Sequence, residues 1–520
     1  MQENGMTEDV RRSWGESLRA FFHPRVITML FLGFSAGIPI LLVFSTLSVW
    51  LREAGVERAA IGFFSWAALG YGFKFVWAPI IDKMPLPLIT ALMGQRRSWL
   101  LLSQLSVIAA LALMAMIDPV ENLVGMAVAA VALGFASATQ DIVIDAYRID
   151  SADEDLQGMM SATYIAGYRI GMLVAGAGAL ELAGMIDVIE GYDYGAWQIT
   201  YFSMAAVMVA GIITTFLIPE PNRPDGKSAH LNSLLDYLQF LGLFIAVAFA
   251  FAMTFFLSSD LANLVRSVLV ETGMAESLAG FLIGTGRLVT AVSAAALLAV
   301  LLTKTHLVPR EMVRETYVAP FADFFDRFGR IAMVILFLIA TYRIADVVMG
   351  VMANVFYVDL GFEKQEIGRI SKGFGLAMTL AGGFLGGLLI MRFGVMRILF
   401  LGGILAAGTN ILFAVMAGLG NQLWMLMVVI SADNLSAGIA SAAFVAYLSS
   451  LTSKSFTATQ YALFSSMMLL LPKLIAGYSG VAVEALGYAS FFIGTAFLGI
   501  VPLALILYLG FRKPRLSQAT

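Results

Sequence analysis

Apolar residues in this chain neither alternate with polar ones nor recur on one helical face. They run on without a break, and the interruptions are short and charged. Fourteen such runs can be placed: 26–50, 59–81, 99–117, 122–145, 160–182, 197–218, 237–257, 278–302, 331–352, 367–390, 396–416, 423–448, 457–482 and 488–510. At about 1.5 Å per residue each covers the ~30 Å hydrocarbon core of a bilayer. A helix that is apolar on every side needs apolar surroundings on every side. The pattern therefore predicts an all-α polytopic membrane protein.

The interruptions carry an orientation signal. One set holds Arg11, Arg12, Arg19 and Arg25; Lys83, Arg96 and Arg97; Arg148; Arg223 and Lys227; Lys304, Arg310, Arg314, Arg327 and Arg330; Arg392 and Arg397; Lys454; and Arg512, Lys513 and Arg515. The alternate set is neutral or acidic, as at Asp187, Glu190 and Asp193. The positive-inside rule assigns the basic set, and with it both termini, to the cytoplasm. Termini on one side require an even number of crossings. Fourteen satisfies this, and twelve does if 237–257 and 278–302 form a re-entrant or surface-lying pair.

The layout reads as six, two and six. A cytoplasmic N-terminal segment (1–25) leads to a six-helix half (26–218), a linker (219–236) opened by the helix-stopping Pro219-Glu220-Pro221, and two accessory helices (237–302). A second linker (303–330) mixes aromatic and charged residues, as an amphipathic helix at the inner membrane surface or an ordinary loop helix would. A second six-helix half (331–510) and a cytoplasmic tail (511–520) follow. Residues 1–25 lack the apolar core of a cleaved signal peptide. Two six-helix halves are a common transporter plan, in which one half rocks against the other.

Composition narrows the function. Of 520 residues, 60% are hydrophobic and 13% charged, against about 25% charged in soluble domains. Net charge is −3, without the basic patch that nucleic-acid binding needs. Cysteine is absent, which excludes disulfides and thiolate chemistry, and His23, His230 and His306 are too dispersed for a metal site. No nucleotide-binding or metalloprotease motif is present, so neither an enzyme nor an ATP-driven pump is expected. The expected energy source is an ion gradient, with no cofactor.

Charge inside the apolar runs is costly and marks bundle interiors or cavities. It occurs at Lys74, Asp141, Asp145, Arg169, Arg287, Arg343, Asp346, Lys372, Asp433 and Lys473. Asp141 and Asp145 share one helix face, where like charges repel, so the pair suits proton handling. Equally, Asp145 can pair with Arg148 or Arg169 and brace the helix end. Arg343 and Asp346 stand at i,i+3, as a local pair or as a cavity-facing one. Lys74 and Arg169 suit an anionic solute or serve as partners for the aspartates. Trp50, Trp66 and Tyr71 are candidates for stacking on sugar faces, although membrane aromatics more commonly pack or anchor. Asp82 followed by Arg96 and Arg97, with a second-half fragment at Arg392 and Gly394, resembles the cytoplasmic gate motif of the major facilitator superfamily; loop anchoring is the plainer alternative. Gly37-Ile38-Pro39 and Leu471-Pro472 mark helix kinks or breaks.

Several stretches together carry a more specific likeness: LGFSAGIPILL (32–42), IGFFSWAALGYGFKFVWAPIID (61–82), SATQDIVIDAYRID (137–150), GYRIGML (167–173), VAPFADFF (318–325) and SAAFVAYLSSLTSKSFTATQYALFSS (441–466). Across most of 20–510 the chain resembles the AmpG muropeptide permease family of the major facilitator superfamily. The resemblance implies two six-helix bundles and proton-driven import of N-acetylglucosaminyl-1,6-anhydro-N-acetylmuramyl peptides across the bacterial inner membrane by a monomer. Its further implications are cell-wall recycling and a bearing on beta-lactamase induction. It implies proton coupling at Asp145, Asp141 and Asp346, and it matches the family's lysine to Lys74. Some members carry their extra helices after the second half, whereas here the pair falls between the halves. Other solutes (a sugar, an acyl-CoA compound, a drug) and a non-transporting receptor are the alternatives.

Overall fold

The computed structural model describes residues 15, 19–56, 71–72, 74–152, 154–186, 191–221, 234–274, 276–305, 309–476 and 478–511. Trp66, His230, His306 and most of the two terminal segments and the 219–236 linker lie outside these residues. Among the described residues every regular element is helical.

The first bundle holds α1 (Pro24–Glu53), the short α2 (Ala78–Lys83), α3 (Gln95–Ala115), α4 (Leu123–Ser151), α5 (Leu156–Ile186) and α6 (Tyr194–Leu217). Next come α7 (Leu234–Leu257), α8 (Ser259–Glu271) and α9 (Glu276–Lys304), then the linker helix α10 (Ala319–Phe328). The second bundle comprises α11 (Ala332–Thr341), α12 (Ile344–Asp359), α13 (Gly375–Phe393), α14 (Val395–Leu419), α15 (Leu423–Leu451), α16 (Thr457–Ala476), α17 (Ser479–Leu498) and α18 (Ile500–Phe511).

Among the described residues, eleven helices are long and apolar enough to cross a membrane, and a twelfth is added if the bent pair Leu241–Leu257 and Ser259–Glu271 is one span. The two remaining apolar runs are 59–81, described only in part, and 457–482, which contains α16. Within α17, Gly487 leaves helical geometry (φ 76°, ψ 162°), which only glycine adopts easily, and it turns the chain between the last two crossings. The arrangement is consistent with fourteen spans.

The stretch between the accessory helices contains α8, whose Leu261, Leu264, Val265 and Val268 face outward beside Arg266. Such an apolar face is stable against lipid. Arg287 in α9 is held within the accessory pair. Its guanidinium lies 4.4 Å from the Phe255 ring, and it donates to the Phe255 carbonyl (2.5 Å) and Ser258 Oγ (3.2 Å), satisfying the carbonyl end of α7. The linker helix α10 is docked: Gln460 Nε2 donates to the Pro320 carbonyl and Asp323 Oδ2 (both 2.8 Å), and Phe324 packs on Phe464.

Glycines bring helices into backbone contact, because in lipid tight packing drives association. A Cβ on Gly33 or Gly37 would stand 2.1 Å from the Tyr164 or Tyr168 carbonyl of α5, and one on Gly167 would stand 2.0 Å from the Leu30 carbonyl of α1. The second bundle repeats the device, with Gly382 on Leu435 (2.2 Å) and Gly438 on Thr379 (2.4 Å). Neither backbone can yield, so Gly167→Ala is expected to destabilise the protein by about 1–3 kcal/mol or more. Gly184→Ala, with nothing within 4 Å, is expected to be neutral. Thermal unfolding of the two purified variants checks this.

The halves meet where α5 packs on α13 and α15, and where α16 packs on α4 and α2. Small residues line the first seam: Gly158 lies against Ile390, and Gly387 against Ala162. The accessory pair packs on the flank of the second seam, where Leu243, Val247, Ala295 and Ala299 join the core shared by α2 and α16.

Candidate functional site

Span ends alternate between two faces. One bears Arg25, Lys83, Arg96, Arg97 and Lys454, and is here called the basic face. The other bears Glu53, Asp118, Asp193 and Asp359.

At the basic face the halves are locked together around Asp82, at the end of α2. Its Oδ1 accepts from Arg96 Nη2 (2.9 Å) and Ala458 N (3.0 Å), and its Oδ2 from Thr459 N (2.8 Å) and Thr459 Oγ1 (2.7 Å). A first-half carboxylate therefore caps the positive N-terminus of α16 in the second half. Arg96 is fully buried and also donates to Asp150 Oδ2 (2.8 Å) and Thr457 Oγ1 (2.5 Å). The two other expected gate residues make further contacts. Arg97 donates to the Thr215 and Phe216 carbonyls (3.1 and 3.0 Å) and ties α3 to the end of α6. Arg392 lies over the Phe393 ring at the end of α13.

One layer deeper is a second buried cluster. Arg148 Nη2 lies 3.2 Å from Asp145 Oδ1, Nη1 donates to Ser161 Oγ (3.0 Å) and Ser449 Oγ (2.7 Å), and the guanidinium sits 5.1 Å from the Tyr461 ring. Lys74 Nζ approaches Asp145 Oδ2 at 4.0 Å. Ser449 and Tyr461 belong to the second half, so this α4 ion pair also spans the seam. Asp141 lies one turn nearer the acidic face, and its buried Oδ1 has no hydrogen-bond partner among the described residues.

Above these layers opens a cavity of about 710 Å³, within the ~300–1,000 Å³ range of solute sites. Its polar lining comprises Arg169 of α5, Arg343, Asp346, Asn354 and Tyr357 of the 343–357 stretch, Ser371 and Thr379, and Asp433 and Asn434 of α15. All lie in the half of the bundle toward the acidic face. Arg343 and Asp346 stand 3.9 Å apart, and Arg169 has no ion-pair partner among the described residues. The helix is interrupted by a turn at Tyr342-Arg343, which puts Arg343 at the N-cap position of α12 without a side-chain capping bond and Asp346 in its first turn. Half-helix N-termini of this kind face anionic groups in transporters. The π-helical turns Val174–Gly178 and Gly368–Phe374 border the same cavity through Ala177 and Ser371.

Of the described sequence-derived candidates, the cavity takes Arg169, Arg343 and Asp346. Lys74, Asp141 and Asp145 lie below it in the closed half. Trp50 is fully buried and stacks on Trp197 (5.7 Å, 4° between planes), donating to Tyr192 Oη at 3.1 Å, so it presents no face to a solute. Tyr71 donates to Ser137 Oγ (2.6 Å) and is not among the lining residues. Sequence reasoning flagged Asp433 only as an intramembrane charge and passed over Asn354, Asn434 and Thr379. An amide or hydroxyl in an apolar run gives little signal.

Two helical bundles that share a polar cavity toward one face and are joined by buried ion pairs toward the other have the build of a membrane transporter. The Major Facilitator Superfamily model matches residues 86–342, and that of Acetyl-coenzyme A transporter 1 matches 25–124. The transporter AmpG 4 of Rickettsia felis is 31% identical over 93% of this chain and 96% of its own. The anhydromuropeptide permease of Escherichia coli K12 is 30% identical over 94% of this chain and 80% of its own. The chain belongs to the AmpG family of the major facilitator superfamily; it is a membrane transporter and not an enzyme. The fold is also that of the E. coli fucose:proton symporter (TM-score 0.60, 9% identity, 94% of this chain and 99% of that one) and of a proton:xylose symporter (TM-score 0.57, 11% identity, 96% and 97%).

Proposed function

We propose that this transporter imports anhydromuropeptides, the sugar-peptide products of peptidoglycan turnover, from periplasm to cytoplasm across the inner membrane, driven by protons and without a resident cofactor. The observation that carries the reading is the cavity lining. Cations at Arg169 and Arg343 stand among amides, hydroxyls and carboxylates, which suits a large solute bearing carboxylates, hydroxyls and peptide groups. The basic face is cytoplasmic by the positive-inside rule, with both termini there, so the cavity faces the periplasm.

Coupling is assigned to the α4 cluster. A proton entering from the cavity meets Asp141 first and Asp145 one turn further. On Asp145 it cancels the charge that holds Arg148 and Lys74. Arg148 also bonds Ser449 across the seam, so protonation alters a contact between the halves and biases one arrangement over the other. Asp346 has the same option against Arg343 in the cavity.

Reconstituted protein is expected to accumulate a disaccharide anhydromuropeptide when an inward proton gradient is imposed. Uptake that ignores the gradient sinks the coupling, and no uptake sinks the substrate. Arg169→Ala and Arg343→Ala are each expected to raise KM about tenfold or more, the loss of one charge-assisted hydrogen bond, with insertion unchanged. Because residues 25–124 also match an acetyl-coenzyme A transporter model, acetyl-coenzyme A belongs in the assay as competitor. Displacement by it and not by muropeptide would favour a nucleotide-thioester solute.

A further inference from the structure

Two cavities flank the accessory pair, and neither is part of the solute pathway. The first, about 340 Å³, lies between the pair and the place where α2 of the first bundle meets α16 of the second. Its wall includes Phe251 of α7, Ala295 and Ala299 of α9, Pro79 of α2, and Leu463 of α16, and it is almost wholly apolar. The second, about 830 Å³, lies beside it at the basic face and includes Lys304, Arg310 and Arg314. Val300, Val313 and Val318 line both, so the two are continuous. Lys304, Arg310 and Arg314 are exposed, and none has an ion-pair partner among the described residues. Glu311 and Glu315 share their segment, but no carboxylate is among the residues lining either cavity.

An apolar slot within the bilayer that opens into three cations at the membrane surface has the polarity of a lipid. We infer that this is a binding site for an anionic phospholipid of the leaflet at the basic face, its phosphate held by Lys304, Arg310 and Arg314 and an acyl chain filling the slot against α7, α9 and α16. Charge complementarity selects the headgroup. Clustered Lys and Arg at a membrane surface attract anionic lipid, each adding a comparable increment. A soluble solute has no use for the slot, and a zwitterionic lipid has no use for three unbalanced cations. The position has a structural consequence. Thr459, which donates to Asp82 in the lock, also lines the slot, so the bound chain lies directly against the element that closes the basic face.

The test uses the full-length protein, purified after exposure to vesicles of equal phosphatidylglycerol and phosphatidylcholine, with retained lipid read by native mass spectrometry. The protein is expected to retain phosphatidylglycerol preferentially. The triple variant Lys304→Gln, Arg310→Gln, Arg314→Gln is expected to lose that preference by about tenfold while remaining monodisperse. Ala295→Phe with Ala299→Phe, which fills the slot, is expected to lower retention of phosphatidylglycerol with the cations intact. Glycerophosphate, a headgroup without chains, is expected not to displace it. Equal retention of both lipids by the parent, or an undiminished preference in the triple variant, overturns the site. Displacement by glycerophosphate overturns the acyl-chain assignment and makes this a site for soluble phosphates. If the slot-filling variant does not fold, the charge variant and the displacement measurement decide between these outcomes.

Discussion

Asp145→Asn protein is expected to insert and to exchange substrate down its gradient, yet to lose accumulation driven by an inward proton gradient. Asn keeps the volume of Asp but cannot take up or release a proton at neutral pH. Its neutral amide also leaves Lys74 and Arg148 without the carboxylate that stands 4.0 and 3.2 Å from them. Removing one partner of a buried ion pair costs about 3–5 kcal/mol, so lower thermal stability is expected alongside the loss of coupling. Uptake in proteoliposomes, with and without the gradient and normalised to inserted protein, separates the two effects. Accumulation equal to the parent removes Asp145 from coupling. Loss of exchange together with failed insertion makes it a brace of the α4 end.

Asp82→Asn is expected to unlock the basic face. The carboxylate accepts four bonds, two of them from the backbone N–H groups that begin α16, and an amide can accept at one end only. A bond to a charged group contributes about 1.5–3 kcal/mol, enough to shift the balance between arrangements by tenfold or more. The chain has no cysteine, so a single Cys placed at Ala458, which is 1% exposed, reports the change cleanly. In inverted vesicles its labelling by a membrane-impermeant thiol reagent should rise about tenfold in the Asp82→Asn background, and uptake should fall by a similar factor. Unchanged labelling would mean that the remaining seam contacts, chiefly Arg148 on Ser449, hold the face shut without the cap.

The two variants probe contacts of very long range. Asp82 meets Thr459 across 377 positions of sequence, and Arg148 meets Ser449 across 301. Nothing in the local pattern around Arg148 separates it from an arginine that anchors a loop. It read as a basic-side charge or a brace for Asp145, and its reach into the second half appeared only once α4 and α15 were docked. The same holds in reverse for Trp50. Its position near the end of an apolar run suits a sugar platform, but neighbours on α6 enclose it.

What the sequence determined by itself is what bilayer physics imposes residue by residue. The apolar runs had to be long enough to cross hydrocarbon, the basic loops had to alternate with the acidic ones, and the few intramembrane charges had to face inward. Those constraints yield the all-α class and a short set of charged candidates, and the motif stretches add the family. Only the tertiary structure decided how the candidates divide into a cavity, a buried ion-pair cluster on α4 and a set of bonds around Asp82 that joins the halves. It alone revealed the helix break at Arg343, where the residues Thr341-Tyr342-Arg343 contain neither proline nor glycine to announce it. Hydropathy records whether a residue belongs in the membrane. Which residue it meets there depends on the docking of whole bundles, and that is set by close helix contacts, such as Gly167 on Leu30, that no local pattern encodes.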